Sequence, residues 1–286
     1  MAAQSICQLL FALSLLRRYF MEEEISLRKF LRACYMVIVY QLIGNTIQVI
    51  VYLIIAKSIT KQGEDIWEQS KLQYNRYGII VTLIAAVITI PICFYLYKKD
   101  RKEEKKLRGE DYQEISVKEW ILIIILGSSS CIALNNWISL SGIMKIFSGF
   151  EKTAQVLYGG NLIIEVLTVG VAAPMVEEFL FRGLFYKRVA KMINKKVAVF
   201  LSALFFGIYH FNVVQGIYAF LIGILLVYLY ERFQTLKAPI LFHMAANLTS
   251  VLFTEFQIQM SIFGMILSAI FTTIIAGFIL FLFERK

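Results

Sequence analysis

Pro174-Met-Val-Glu177-Glu178-Phe-Leu-Phe-Arg182-Gly183-Leu-Phe-Tyr186 sets two adjacent acids and an arginine inside a very apolar stretch of a very apolar chain. Val166 to Val176 carries no charge, and Leu184 to Tyr186 is again apolar. At membrane depth an ionisable side chain costs roughly 2.5–3.5 kcal/mol on insertion scales, so such groups are rare and usually functional. On a helix, Glu178 and Arg182 are i,i+4 neighbours in the favourable order, acid before base, and can neutralise each other. Glu177 points about 100° away from Glu178, as 3.6 residues per turn requires. It therefore lacks that partner, and the rest of the chain is read for what meets it.

The surrounding composition fixes the solvent. Of 286 residues, 59% are hydrophobic and only 17% charged. Several runs of about 20 apolar residues mark an all-α, polytopic membrane helix bundle rather than a soluble domain. Eight spanning segments are expected, at 34–56, 78–97, 119–140, 155–180, 197–214, 216–231, 238–254 and 260–283. The net charge of +9 reports topology in such a protein, not a nucleic-acid partner. With both termini in the cytoplasm, 23 of the 29 Lys and Arg residues fall on the inner side, as the positive-inside rule demands. The partner implied is the lipid bilayer, here a plasma membrane of bacterial type.

The chain then divides into an N-terminal interfacial or cytoplasmic segment (1–33), a two-helix membrane part (34–97), a charged cytoplasmic linker (98–118) and a six-helix core (119–286). Residues 6–16 are too short to span, and Arg17-Arg18 follows the apolar run rather than preceding it, which argues against a signal peptide. The mixed-sign linker reads as a solvated segment. Cys7, Cys34, Cys93 and Cys131 are scattered without a CxxC pair, so neither a zinc knuckle nor a disulfide framework is indicated.

Further polar groups fall inside apolar segments. The chain has two histidines, His210 and His243, and Asn247 stands four residues after the second, on the same helix face. A lone membrane histidine is more often a helix-packing hydrogen-bonder. Two histidines, an asparagine and an unpaired Glu177 would all be costly against lipid, so they should converge inside the bundle. Their depths agree if the helix bearing Glu177 continues past Leu180 to Met192. Glu177 then lies about 22 Å from that end, and His210 about 21 Å from Lys196. Pro174, one turn before Glu177, should free a backbone carbonyl near the site. On this reading Glu177 meets His210 and His243, while Glu178 pairs with Arg182. Buried Glu and His also occur in transporters, but these need a continuous polar path or broken helices in paired halves, and here the groups cluster without repeat symmetry.

Glu177-Glu178-x-x-x-Arg182, Phe206-x-x-x-His210 and His243-x-x-x-Asn247 together resemble the three motifs of the CPBP (Abi) family of CAAX-prenyl-protease and bacteriocin-processing intramembrane proteases. The resemblance covers about residues 120–255. It implies hydrolysis of a peptide bond in a membrane-associated protein or peptide. Glu177 would be the general base, with His210 helping to orient and deprotonate the water. His243 and Asn247 would stabilise the oxyanion, and Glu178 and Arg182 would hold the motif helix. Glu177, His210 and His243 are also a zinc-type set with a fourth position for water, so Zn2+ stays open, although no HExxH helix is present. Some family members act as bacteriocin self-immunity factors, so an immunity or scaffold protein without proteolysis is the alternative.

Overall fold

The structure, a computed structural model, describes residues 27–59, 66–108, 114–147 and 160–285. The interfacial segment expected at 6–16 lies outside them, as does part of the charged linker. Every regular element among the described residues is helical, in agreement with the all-α reading. Helix α1 is Leu27–Ile59, α2 is Ile66–Arg108 and α3 is Val117–Leu140, with a single turn at Ile143–Ile146 after it. Helix α4 is composite: Leu162–Glu165, Val166–Ala172, Ala173–Glu178, Phe179–Tyr186 and Lys187–Val189 follow without a break, the second and fourth pieces wound as π-helix. Then come α5 (Lys195–Tyr209), α6 (Val213–Phe233), α7 (Lys237–Glu255) and α8 (Ile262–Glu284).

The spans Arg28–Ile54, Tyr77–Glu103, Val117–Leu140, Val213–Phe233 and Ile262–Glu284 are long and apolar enough to cross a membrane. That criterion supports five of the eight expected spans. The other three correspond to α4, α5 and α7, which carry the motifs. Exposed Phe263, Leu267, Ile270, Phe271, Ile274 and Phe278 form an apolar face on α8, a surface suited to lipid rather than water. Helix α2 runs on through Lys98 to Arg108, where Lys, Glu and Arg are all good helix formers.

At the centre lies α4. All eight residues from Phe179 to Tyr186 are buried, because α1, α2, α5, α6 and α7 pack around this helix. A stretch so enclosed must be apolar all round, and between Phe179 and Tyr186 Arg182 is the charged exception. The first two helices join the same core: Phe30 of α1 meets Phe185 and Phe205 edge-on at 6.5 and 6.3 Å. Arg188, just after the last π-helical turn, bonds Asp100 of α2 at 2.8 Å and the carbonyl of Arg32 in α1 at 2.8 Å.

Close backbone approaches set the helix spacing. A Cβ on Gly207 of α5 would stand 2.6 Å from the carbonyl oxygen of Gly216 in α6, so this hairpin closes only with glycine. Helix α3 presses on α7 at Gly127, where a Cβ would run into the Phe242 carbonyl. The Thr249 hydroxyl donates to Ala245 O at 2.8 Å and meets the Ser128 hydroxyl at 3.0 Å. Interhelical polar contacts of this kind are a recurrent means of fixing helix register in bilayers. Here they fix α7, the helix that presents His243.

Candidate active site

Thr168 O accepts from the N–H of Ala173, five residues on, which is the π-helical step. The next bond in that register would run from residue 174 to Val169 O, but Pro174 has no N–H to give. Asn247 supplies it from α7: its Nδ2 donates to Val169 O at 2.9 Å. The proline does free a carbonyl, as expected, and the asparagine of the third motif takes it. We predict that Asn247→Ala lowers stability by about 1–3 kcal/mol, the cost of an unsatisfied buried polar group. Pro174→Ala in the same chain, which restores an N–H, should recover part of it. Thermal unfolding in detergent decides; a wild-type midpoint for Asn247→Ala would show that the carbonyl does not need this donor.

The short α-helical piece that follows carries Glu177 and Glu178. Glu178 is wholly buried and pairs with Arg182, Oε1 to Nη1 at 2.8 Å, as expected of the i,i+4 acid and base. Arg182 also gives Nη2 to the carbonyl of Gly223 in α6 at 3.1 Å. Gly223 permits this because a Cβ there would crowd that same Nη2 at 3.3 Å. The guanidinium lies 4.4 Å over the Phe206 ring, a cation–π contact in a desolvated setting. Glu178 Oε2 and Arg182 Nε are buried without hydrogen-bond partners.

His243 joins the two acids. Its Nδ1 is 3.0 Å from Glu178 Oε1, and its Nε2 is 3.7 Å from Glu177 Oε2. One imidazole therefore bridges neighbouring carboxylates whose side chains diverge along the helix. The Nδ1–H bond to Glu178 fixes the ring and aims Nε2 at Glu177. At 3.7 Å the second contact is too long for a direct hydrogen bond and suits a bridging water. Glu178 is thus more than a partner for Arg182: it also orients His243, a link that sequence reasoning missed because 65 residues separate the two.

His210 ends α5. The last turn tightens, with the His210 N–H bonding Gly207 O at 3.2 Å and the Phe211 N–H bonding Ile208 O at 3.0 Å. This releases Phe206 O, which His210 Nδ1 takes at 2.8 Å. The bond leaves Nε2 with a free lone pair, able to accept a proton or orient a water. Phe211 then reverses the chain at a φ of 51°, and Asn212 caps α6 by accepting from the Gln215 N–H at 3.0 Å. His210 makes no ion-pair contact with Glu177 among the described residues; it joins the cluster through Phe206. That ring meets His210 at 5.0 Å and His243 at 5.7 Å, edge-on in both cases. Phe206, quoted only as a motif position, is the apolar wall shared by both histidines and the arginine.

Access divides the groups. The Glu178 and Arg182 side chains have no exposed surface, the Glu177 side chain keeps 12%, and His210 is half-buried. The open side of the site is thus the side of Glu177 and His210. The zinc-type set fares differently. Among the described residues no three His, Cys, Asp or Glu side chains stand close enough to hold a metal ion. His243 has one ring nitrogen engaged by Glu178 and the other turned to Glu177.

The chain was compared with families of known proteins. Residues 159–249 fit the model of the Rce1-like family, type II CAAX prenyl endopeptidase Rce1-like. Curated proteins and solved structures gave no match. The matched segment holds α4, α5, α6 and most of α7, and with them all seven motif residues, while α1, α2, α3 and α8 lie outside it. The helices that build the site are therefore similar in sequence to the Rce1-like CAAX prenyl endopeptidases, in keeping with the resemblance of the three motifs.

Proposed function

We propose that this protein is an intramembrane endopeptidase that hydrolyses a peptide bond of a membrane-associated protein or peptide with a water activated by Glu177. The observation that carries the reading is the Glu178–His243–Glu177 relay, in which a buried acid fixes a histidine whose other nitrogen faces a second, accessible acid. A water between Glu177 Oε2 and His243 Nε2 gives its proton to Glu177 as its oxygen attacks the scissile carbonyl. His210 Nε2, free because Nδ1 is engaged by Phe206 O, accepts the second hydrogen of that water and holds its lone pair in line. In its doubly protonated form His243 donates Nδ1–H to Glu178 and Nε2–H to the developing oxyanion. Asn247 spends one amide hydrogen on Val169 O and has a second for the same oxyanion. Collapse of the tetrahedral intermediate breaks the C–N bond, and Glu177 returns its proton to the leaving amine.

The proposed orientation has both termini on the cytoplasmic side, a reading that the basic-residue asymmetry of the chain supports. Substrate cleavage is tested with the purified protein in lipid vesicles and a membrane-embedded peptide, with products read by mass spectrometry. His243→Ala should lower turnover by roughly 10²–10³, as loss of one oxyanion donor does, with little change in membrane abundance. Full activity in that variant would end the oxyanion role. A wild-type protein that cleaves nothing, yet binds peptide in a Glu177-dependent way, would move the reading to an immunity or scaffold role.

A further inference from the structure

His210 sits at a helix end, where helices fray. An α-helical turn would spend Phe206 O on the His210 N–H, four residues on. Here that N–H goes to Gly207 O at 3.2 Å, and Phe206 O is left for the ring Nδ1–H of the same histidine at 2.8 Å. The tautomer of His210 therefore depends on the register of one turn. In the tight turn the proton is held on Nδ1 and Nε2 is bare. In an α-helical turn the backbone N–H takes Phe206 O, and Nδ1–H loses its acceptor.

The tight turn is the costlier of the two. Its hydrogen-bond geometry is poorer than that of an α-helix. The next residue, Phe211, adopts a φ of 51°, a region that a side chain with a Cβ avoids. Such local strain persists where the surroundings over-determine it. Phe211 does not supply that grip, because its side chain is 65% exposed. Tyr209 does. Its ring packs edge-on to Phe181 of α4 at 5.4 Å and to His210 at 5.7 Å. On Tyr209 stacks Tyr40 of α1, with centroids 6.3 Å apart and planes 27° from parallel, inside the range over which aromatic pairs attract. Tyr40 is only 6% exposed and stands near the middle of the apolar span Arg28–Ile54, outside the segment that matches the family.

We propose that Tyr40 is a positioning residue for His210: by stacking on Tyr209, which packs on Phe181, it keeps the tip of α5 in the tight turn and the imidazole in its Nδ1–H form. A helix that no motif marks then sets which nitrogen of His210 is free to accept. The consequence for turnover rests on the reading of His210 as the group that orients the attacking water; the link between Tyr40 and the tautomer does not.

The test uses the full chain in detergent with its histidines isotope-labelled at the ring nitrogens. The chain has two histidines, so the His243→Ala variant assigns the signals of His210. At a pH well above the ordinary histidine range, nitrogen chemical shifts read which ring nitrogen carries the proton. The wild type should show His210 protonated at Nδ1. Tyr40→Ala removes the stacked ring and should move the tautomer ratio toward Nε2–H by about tenfold, the net worth of one hydrogen bond. Turnover should fall by a similar factor at unchanged KM, the mark of a group acting at the chemical step. Tyr40→Phe keeps the ring and should match the wild type in both readouts. Tyr209→Leu removes the same stack from α5 and serves if Tyr40→Ala does not fold. An unmoved tautomer ratio in the folded variant overturns the inference, and so does an equal shift in Tyr40→Phe. A shifted tautomer in a protein that never cleaves peptide would instead overturn the protease reading and leave the link between Tyr40 and His210 standing.

Discussion

Glu177→Gln is expected to lower cleavage of a membrane-embedded peptide by roughly 10²–10⁴, the usual worth of a general base, while the protein inserts and accumulates at the wild-type level. The amide keeps the shape of the side chain and cannot accept the proton of the attacking water. The fold should tolerate the change because Glu177 makes the looser contact of the two acids, 3.7 Å to His243 against 3.0 Å for Glu178. Arg182 also stays neutralised by Glu178. The measurement pairs single-turnover cleavage with thermal unfolding in the same detergent. Activity within tenfold of wild type, at normal accumulation, would remove Glu177 from the role of base.

Glu178→Gln should behave differently, losing about 3–5 kcal/mol of stability, the cost of leaving a buried charge without its partner. Arg182 is wholly buried, and Nη1 has Glu178 Oε1 at 2.8 Å. The Gly223 carbonyl engages Nη2 but does not cancel the charge. Arg182→Met in the same chain removes the stranded charge and should restore much of the lost stability, since an apolar replacement of a buried pair is often neutral. It should not restore turnover, because the carboxylate that anchors His243 Nδ1 is still missing. Recovery of both stability and turnover in the double variant would show that Glu178 serves Arg182 alone and that His243 needs no carboxylate anchor.

The legible part of the site is the part written locally. Glu178 with Arg182 follows from i,i+4 spacing in the favourable order, and both are found where that spacing puts them. Pro174 announces a freed carbonyl because a ring nitrogen has no hydrogen, wherever the helix goes. Which carbonyl is freed was not legible. An α-helix would release Gly170 O, and the π register moves the vacancy to Val169 O. That register is seen only in the folded helix, which five neighbouring helices enclose. The end of the helix shows the same limit. It runs past Leu180, as the absence of proline suggests, and stops at Val189, three residues short of the expected Met192.

By itself the amino-acid sequence determined the solvent and the secondary-structure class, and it named the residues of the candidate site. Apolar runs of spanning length leave the backbone no option but helix, and each polar group inside them is too costly to face lipid. That argument names Glu177, Glu178, Arg182, His210, His243 and Asn247 without any coordinates. Only the tertiary structure decided how they are connected. It gave His243 to both glutamates, Asn247 to the Val169 carbonyl, His210 to Phe206, and stacked Tyr40, from a helix that no motif marks, on Tyr209. The physical reason is range. Burial energy depends on what a residue is and can be read one position at a time. A hydrogen bond depends on direction to within a few tenths of an ångström, and in this bundle those directions are set by glycine contacts and π-helical turns between segments far apart in the chain.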